Sequence, residues 1–114
     1  MAQMGGDLKL ARRVGRLFLT DYPVTLSKIR KAIARQDAET VRNEAHALKG
    51  SVANFAAPAA AASAAALERL GRSGNLEKAQ EVYATLRVHL KQVERALAVL
   101  GVKTRSPAAR KGGP

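Results

Sequence analysis

The chain has no cysteine and no tryptophan. It has two tyrosines, two phenylalanines and nine acidic residues against twenty basic ones. Without cysteine there is neither a disulfide framework nor a thiolate metal site. The nine carboxylates are scattered, with none of the pairing that would hold a metal ion, so no metal site is expected. An aromatic content of 4% leaves little with which to stack bases. No apolar run reaches the length of a membrane span and no signal-peptide pattern opens the chain, so the expectation is a soluble cytoplasmic domain. Also missing are a glycine-rich phosphate loop, an HExxH pair and a serine or cysteine nucleophile beside a base. No catalytic pocket is expected, and no cofactor.

What is present suits helices. A chain of 114 residues makes one domain with one modest core. Hydrophobic residues make up 46%, and alanine carries much of that share, which favours closely packed helices over sheets. The net charge is +11; Lys103, Arg105, Arg110 and Lys111 contribute +4 in the last fourteen residues, leaving +7 on the rest. Such a surface attracts acidic proteins and nucleic acid alike.

Residues 1–6 read as a flexible lead-in. Asp7 can cap a first helix to about Thr20, with Leu10, Val14 and Leu17 at helical spacing beside Leu8, Ala11 and Phe18. Asp21-Tyr22-Pro23 is expected to break it, since proline is accepted in the first turn of a helix and not deeper. A second helix over about 23–35 puts Leu26, Ile29 and Ile33 on one side. Asp37 is the N-cap of a third, about 38–54, with Glu39 in its positive first turn. The core stripe of that helix is Val41, Ala45, Leu48, Val52 and Phe55. Pro58 starts a fourth helix, nearly all alanine at first and then carrying Leu67 and Leu70; Ser73-Gly74-Asn75 ends it. A fifth, about 76–100, follows Ala79, Tyr83, Leu86, Leu90, Val93, Leu97 and Leu100, and Gly101 can end it. Residues 102–114 read as a disordered basic tail. Short connections make sequential helices antiparallel neighbours. The expected fold is all-α: an antiparallel four-helix bundle over 7–101 that includes an additional N-terminal helix packed across it.

One segment departs from this regularity. His46 lies off the core stripe of the third helix, on a face shared with Arg42, Lys49, Gly50 and Ala53. Glycine in mid-helix costs about 1 kcal/mol relative to alanine, so its presence beside an exposed histidine points to something that approaches closely. A neutral imidazole is a good nucleophile near neutral pH. Lys49 one turn on and Arg42 on the other side favour an incoming phosphoryl group. These residues describe a phosphoryl acceptor served by another protein's catalytic site. His89 has no such companions and reads as a structural or surface residue.

The run His46-Ala47-Leu48-Lys49-Gly50-Ser51, with Ala45 before it and Phe55 after it, resembles the signature of histidine-containing phosphotransfer (HPt) domains of bacterial phosphorelays. The similarity in helix length and spacing extends from about Asp7 to Leu100. The family commonly has glycine where this chain has Ala56. The resemblance implies that His46 is the phosphoacceptor, taking phosphate from a receiver-domain aspartate and passing it to another receiver. Lys49 would assist electrostatically and Gly50 would give docking clearance. Glu68 falls where the family often has a Gln or Glu that hydrogen-bonds the imidazole, leaving the other ring nitrogen free. No cofactor would be bound, any Mg being supplied by the receiver, and the domain would not be an enzyme in its own right. The receiver contact would be an apolar patch around His46, drawn from Ala53 and residues such as Leu10 or Phe18. Two other readings remain: the phosphoacceptor domain of a chemotaxis-type or hybrid histidine kinase, phosphorylated from ATP by a separate kinase domain, and a basic helical bundle that binds nucleic acid.

Overall fold

The computed structural model describes residues 4–102, with side chains from residue 9 onward. Residues 103–114 of the expected 102–114 tail and the first three residues of the expected lead-in lie outside them. Four helices follow in order: α1 (Met4–Ala34), α2 (Ala38–Val52), α3 (Pro58–Ser73) and α4 (Ala79–Val99). No strand occurs among the described residues.

The additional N-terminal helix is not a separate element. Residues expected to form two helices form one, α1, with Pro23 inside it. Proline removes an amide donor and crowds the carbonyl four residues back, costing roughly 3 kcal/mol. Against that, Phe18, Leu19 and Tyr22 before the proline and Leu26, Ile29 and Ile33 after it are all buried on one continuous stripe. Each such side chain contributes about 1.5–3 kcal/mol on burial, so keeping both halves in register outweighs the missing bond. Pro23 itself is exposed. The helix also starts at Met4, before the expected cap at Asp7.

The expected inner stripe of the first helix is corrected too. Leu10 and Leu17 are more than half exposed, while Phe18 and Leu19 are buried. Leu100, placed on the last helix's core stripe, is likewise exposed, and the burial passes instead to Val102. The chain turns at Gly101 (φ 88°), and the Val102 amide donates to the Leu97 carbonyl at 2.9 Å. This is a Schellman closure. It swings Val102 onto α1 at Gly15, where an added Cβ would stand 3.0 Å from the Val102 side chain. Val102, expected in the tail, is therefore packed into the bundle.

The α1–α2 connection is tight. Gln36 takes a left-handed conformation (φ 59°), and the Asp37 amide donates to the Ala32 carbonyl at 2.8 Å. Asp37 then caps α2 as expected, accepting from the Thr40 amide and from the Thr40 hydroxyl at 2.7 Å. Those bonds hold its carboxyl below the usual carboxylate range. The expected stripe Val41, Ala45, Leu48 and Val52 is buried. Phe55 sits against the Phe18 ring at 5.1 Å and fixes the loop after α2 onto α1. The helix α3 shows a small-residue face, with Ala60, Ser63, Ala64 and Gly71 buried, and α2 and α3 are the most extensively packed pair.

Candidate functional site

The approach of α2 to α3 is set at Gly71. A Cβ there would lie 2.6 Å from the Arg42 amide nitrogen and 2.8 Å from both the Ala38 carbonyl oxygen and the Arg42 Cα. Real Cβ atoms do not come that close to backbone, so only glycine permits this spacing. Arg42 is one turn before His46 and Gly71 nearly one turn after Glu68. The contact therefore controls the distance between those two side chains.

At that distance the His46 Nδ1 lies 3.0 Å from Glu68 Oε2. The Lys49 ammonium pairs with the other oxygen, Oε1, at 2.8 Å, and Arg72 Nη2 donates to Oε2 at 2.9 Å. One carboxylate thus gathers an imidazole and two cations from two helices. The Glu68 side chain is 6% exposed, whereas that of His46 is 67% exposed. The Lys49 ammonium, above all, and then the imidazole pull the Glu68 carboxyl down to about 2, against the opposing effect of burial. An ionised carboxylate has no proton to donate. Its hydrogen bond with Nδ1 therefore requires the proton on that nitrogen, which leaves the Nε2 lone pair of a neutral ring pointing away from the carboxylate.

His46, Lys49 and Glu68 are brought together as the sequence led one to expect. Arg42 is half-buried, and its backbone lies against Gly71. It enters no ion pair at the site among the described side chains. Gly50 is exposed, and nothing stands within 4 Å of where its Cβ would be. No internal packing asks for glycine there. Two residues escaped the sequence reading. Arg72 does carry a usable signal in its i,i+4 spacing from Glu68. Gly71 had none beyond being a glycine within a helix.

His89 stands apart. Its Nδ1 lies 2.9 Å from the Ser63 hydroxyl, which donates to the Ala59 carbonyl at 3.0 Å. It ties α4 to the small face of α3, a structural role as expected. Beside the His46 face, α1 and α2 border an open groove of about 460 Å3. Leu17 and Val24 of α1 line it together with Ala47 and Ser51 of α2, the residues that flank His46 and Gly50.

A family model for the Hpt domain matches residues 14–96. The chain belongs to the Hpt domain family. The match takes in all of α2 and α3 and most of α1 and α4. Hpt domains are phosphotransfer modules of two-component phosphorelays, which work with kinases and receiver domains and are not enzymes in the usual sense. Comparison with curated proteins and with solved structures returned no match. Among the described residues of this Hpt domain, no helix is long and apolar enough to cross a membrane.

Proposed function

We propose that His46 is the residue that carries the phosphoryl group in this Hpt domain. The observation that supports this most directly is the ionised, buried Glu68 at 3.0 Å from Nδ1. With the proton held on Nδ1, Nε2 attacks the acyl phosphate of a receiver aspartate. The Nε2–P bond forms as the bond between phosphorus and the aspartate oxygen breaks, and the carboxylate leaves. The resulting phosphoimidazole keeps its proton on Nδ1, which donates it in a hydrogen bond to the Glu68 carboxylate. Return of the group to a second receiver reverses these steps.

Lys49 rests on Glu68 and is 39% exposed, so its ammonium is tethered yet reachable. It supplies positive charge to the incoming phosphoryl group, and Arg72 keeps Glu68 compensated when Lys49 turns away. Gly50 gives the receiver room to close over the imidazole. Exposed Leu17 and Val24 with Ala47 and Ser51 form the contact surface. This revises the expected patch at Phe18 alone, which is buried in the core. Any Mg ion belongs to the receiver site. The domain needs no catalytic pocket of its own, and its place of action is the cytoplasm.

A second reading keeps His46 as acceptor and changes the donor. Glu68 stands where the resemblance places a Gln or a Glu, and a Glu there is often found in the phosphoacceptor domains of chemotaxis-type kinases. Mixing the protein with a phosphorylated receiver, and separately with ATP and a kinase domain, distinguishes the two. Acid-labile, alkali-stable phosphate should appear on the wild-type chain and be absent from His46→Gln, which leaves the bundle folded. Undiminished labelling of that variant would falsify the assignment.

A further inference from the structure

On the side of the bundle formed by α1 and α4, away from the Glu68 carboxylate, lies an open groove of about 630 Å3. These two helices pack less extensively than the other neighbouring pairs. The floor of the groove is apolar, made by the buried Leu19, Tyr22 and Leu26 of α1. Its rim is cationic. Arg30 comes from α1, and Arg87 and Lys91 stand on successive turns of α4. The one acid in the lining, Glu94, is already engaged: it accepts the Tyr22 hydroxyl and lies 3.6 Å from Lys91. Burial and that hydrogen bond raise Tyr22 above its ordinary range, which keeps it a neutral donor. Three cations and one anion leave the lining at +2. Arg30 and Arg87 have no ion-pair partner among the described side chains.

Tyr83 adds an independent observation. It is 8% exposed, lines this groove, and its hydroxyl makes no hydrogen bond among the described residues. Nor is that hydroxyl a sealed, unsatisfied atom, so it is accessible from outside, and its residue lines this groove. A phenol nine-tenths buried, lining the same groove as two unpaired guanidiniums, offers with them a donor set for an anion. Guanidinium forks match phosphate and carboxylate. A lining of +2 suits the dianion of a phosphate monoester better than a single carboxylate. The size falls in the range of small-molecule sites.

We propose that this groove binds a small phosphorylated ligand. Arg30, Arg87 and the Tyr83 hydroxyl hold the phosphate, and the apolar body lies over Leu19, Tyr22 and Leu26. The site shares no residue with the His46–Glu68 cluster and stands whether or not His46 is the acceptor.

The test is a titration of the whole chain at low salt, followed by NMR on the amides of Ser27, Arg30 and Tyr83. The probes are adenosine monophosphate, inorganic phosphate, succinate, a polyglutamate peptide and a short oligonucleotide. Saturable shifts at these amides are expected with adenosine monophosphate, weaker ones with inorganic phosphate, and none that saturate with succinate. Arg87→Ala should weaken binding about tenfold or more, the low end of the range for a hydrogen bond to a charged group, and Tyr83→Phe by several-fold, the range of an ordinary hydrogen bond. Arg12→Ala, on an exposed turn of α1 outside the groove, should leave it unchanged. Unaltered thermal melting shows that the variants remain folded. The proposal is overturned if no probe saturates, if Arg87→Ala binds as the wild type does, or if only a polyglutamate peptide or an oligonucleotide shifts these amides.

Discussion

Replacing Gly71 with alanine tests whether helix spacing, and not merely residue identity, makes the site. The added Cβ would meet backbone atoms of α2 at 2.6–2.8 Å, where ordinary contact begins at 3.4 Å, a shortfall of roughly 0.6–0.8 Å. The obstructing atoms are the Arg42 amide nitrogen and Cα and the Ala38 carbonyl. None of these can rotate away, so α2 and α3 must separate. The His46–Glu68 hydrogen bond, one turn distant, is 3.0 Å long. Widening of that size carries it past about 3.5 Å, where it ceases to be a hydrogen bond. Overpacking of this kind costs about 1–3 kcal/mol, and alanine returns about 1 kcal/mol of helix propensity. The net loss of stability should be about 0–2 kcal/mol, leaving the variant folded. Two measurements belong together: urea unfolding, and 15N NMR of the His46 ring. The wild type should show the proton on Nδ1; the variant should lose that preference. A Gly71→Ala protein with an unchanged ring tautomer and wild-type stability or better would refute the reasoning.

Gly50→Ala is the contrasting case. With nothing within 4 Å of the new methyl, urea unfolding should show a gain approaching about 1 kcal/mol, while transfer from a phosphorylated receiver slows and labelling by a small phosphodonor such as phosphoramidate changes little. Glu68→Gln should alter the acid limb of the stability curve. The folded carboxyl titrates at about 2, below its ordinary 4.5, so its stabilisation is complete above pH 4.5 and is lost as pH falls from there through 2. The difference in unfolding free energy between wild type and variant should be flat above that window and shrink within it.

Much of the site was readable because it is local. His46, Lys49 and Gly50 share a helix face by spacing alone, and Glu68 could be placed by resemblance. Helix spacing was not readable, because it depends on what α2 presents to Gly71 across the interface. The same limit explains the error at Pro23. Local chemistry at Asp21-Tyr22-Pro23 favours a break, whereas burial of Tyr22 and Leu26 on one stripe favours continuity, and only the assembled core shows which is larger. Val102 was assigned to the tail because a lone valine after a terminal glycine has no period. Its burial follows from the turn at Gly101 and the space left by Gly15.

The misassigned stripe of α1 has a consequence for recognition. Leu10, Val14, Leu17 and Val24 keep helical spacing as faithfully as the true core stripe beside them, so periodicity could not choose between the two. The core takes Phe18, Tyr22, Leu26 and Ile29, and the second stripe is left with Leu17 59% and Val24 55% exposed. These two line the groove beside Ala47 and Ser51, next to His46. Covering the exposed half of a leucine or valine is worth about 1 kcal/mol. Two such contacts favour a partner that binds and then leaves, as the proposed carrier role requires. Leu17→Ala and Val24→Ala should each weaken receiver binding about threefold to tenfold, as measured by titration calorimetry. Because each side chain is already half in water, neither should lower the urea midpoint appreciably. Loss of stability without loss of receiver affinity would place this stripe in the core after all, and would move the docking surface elsewhere.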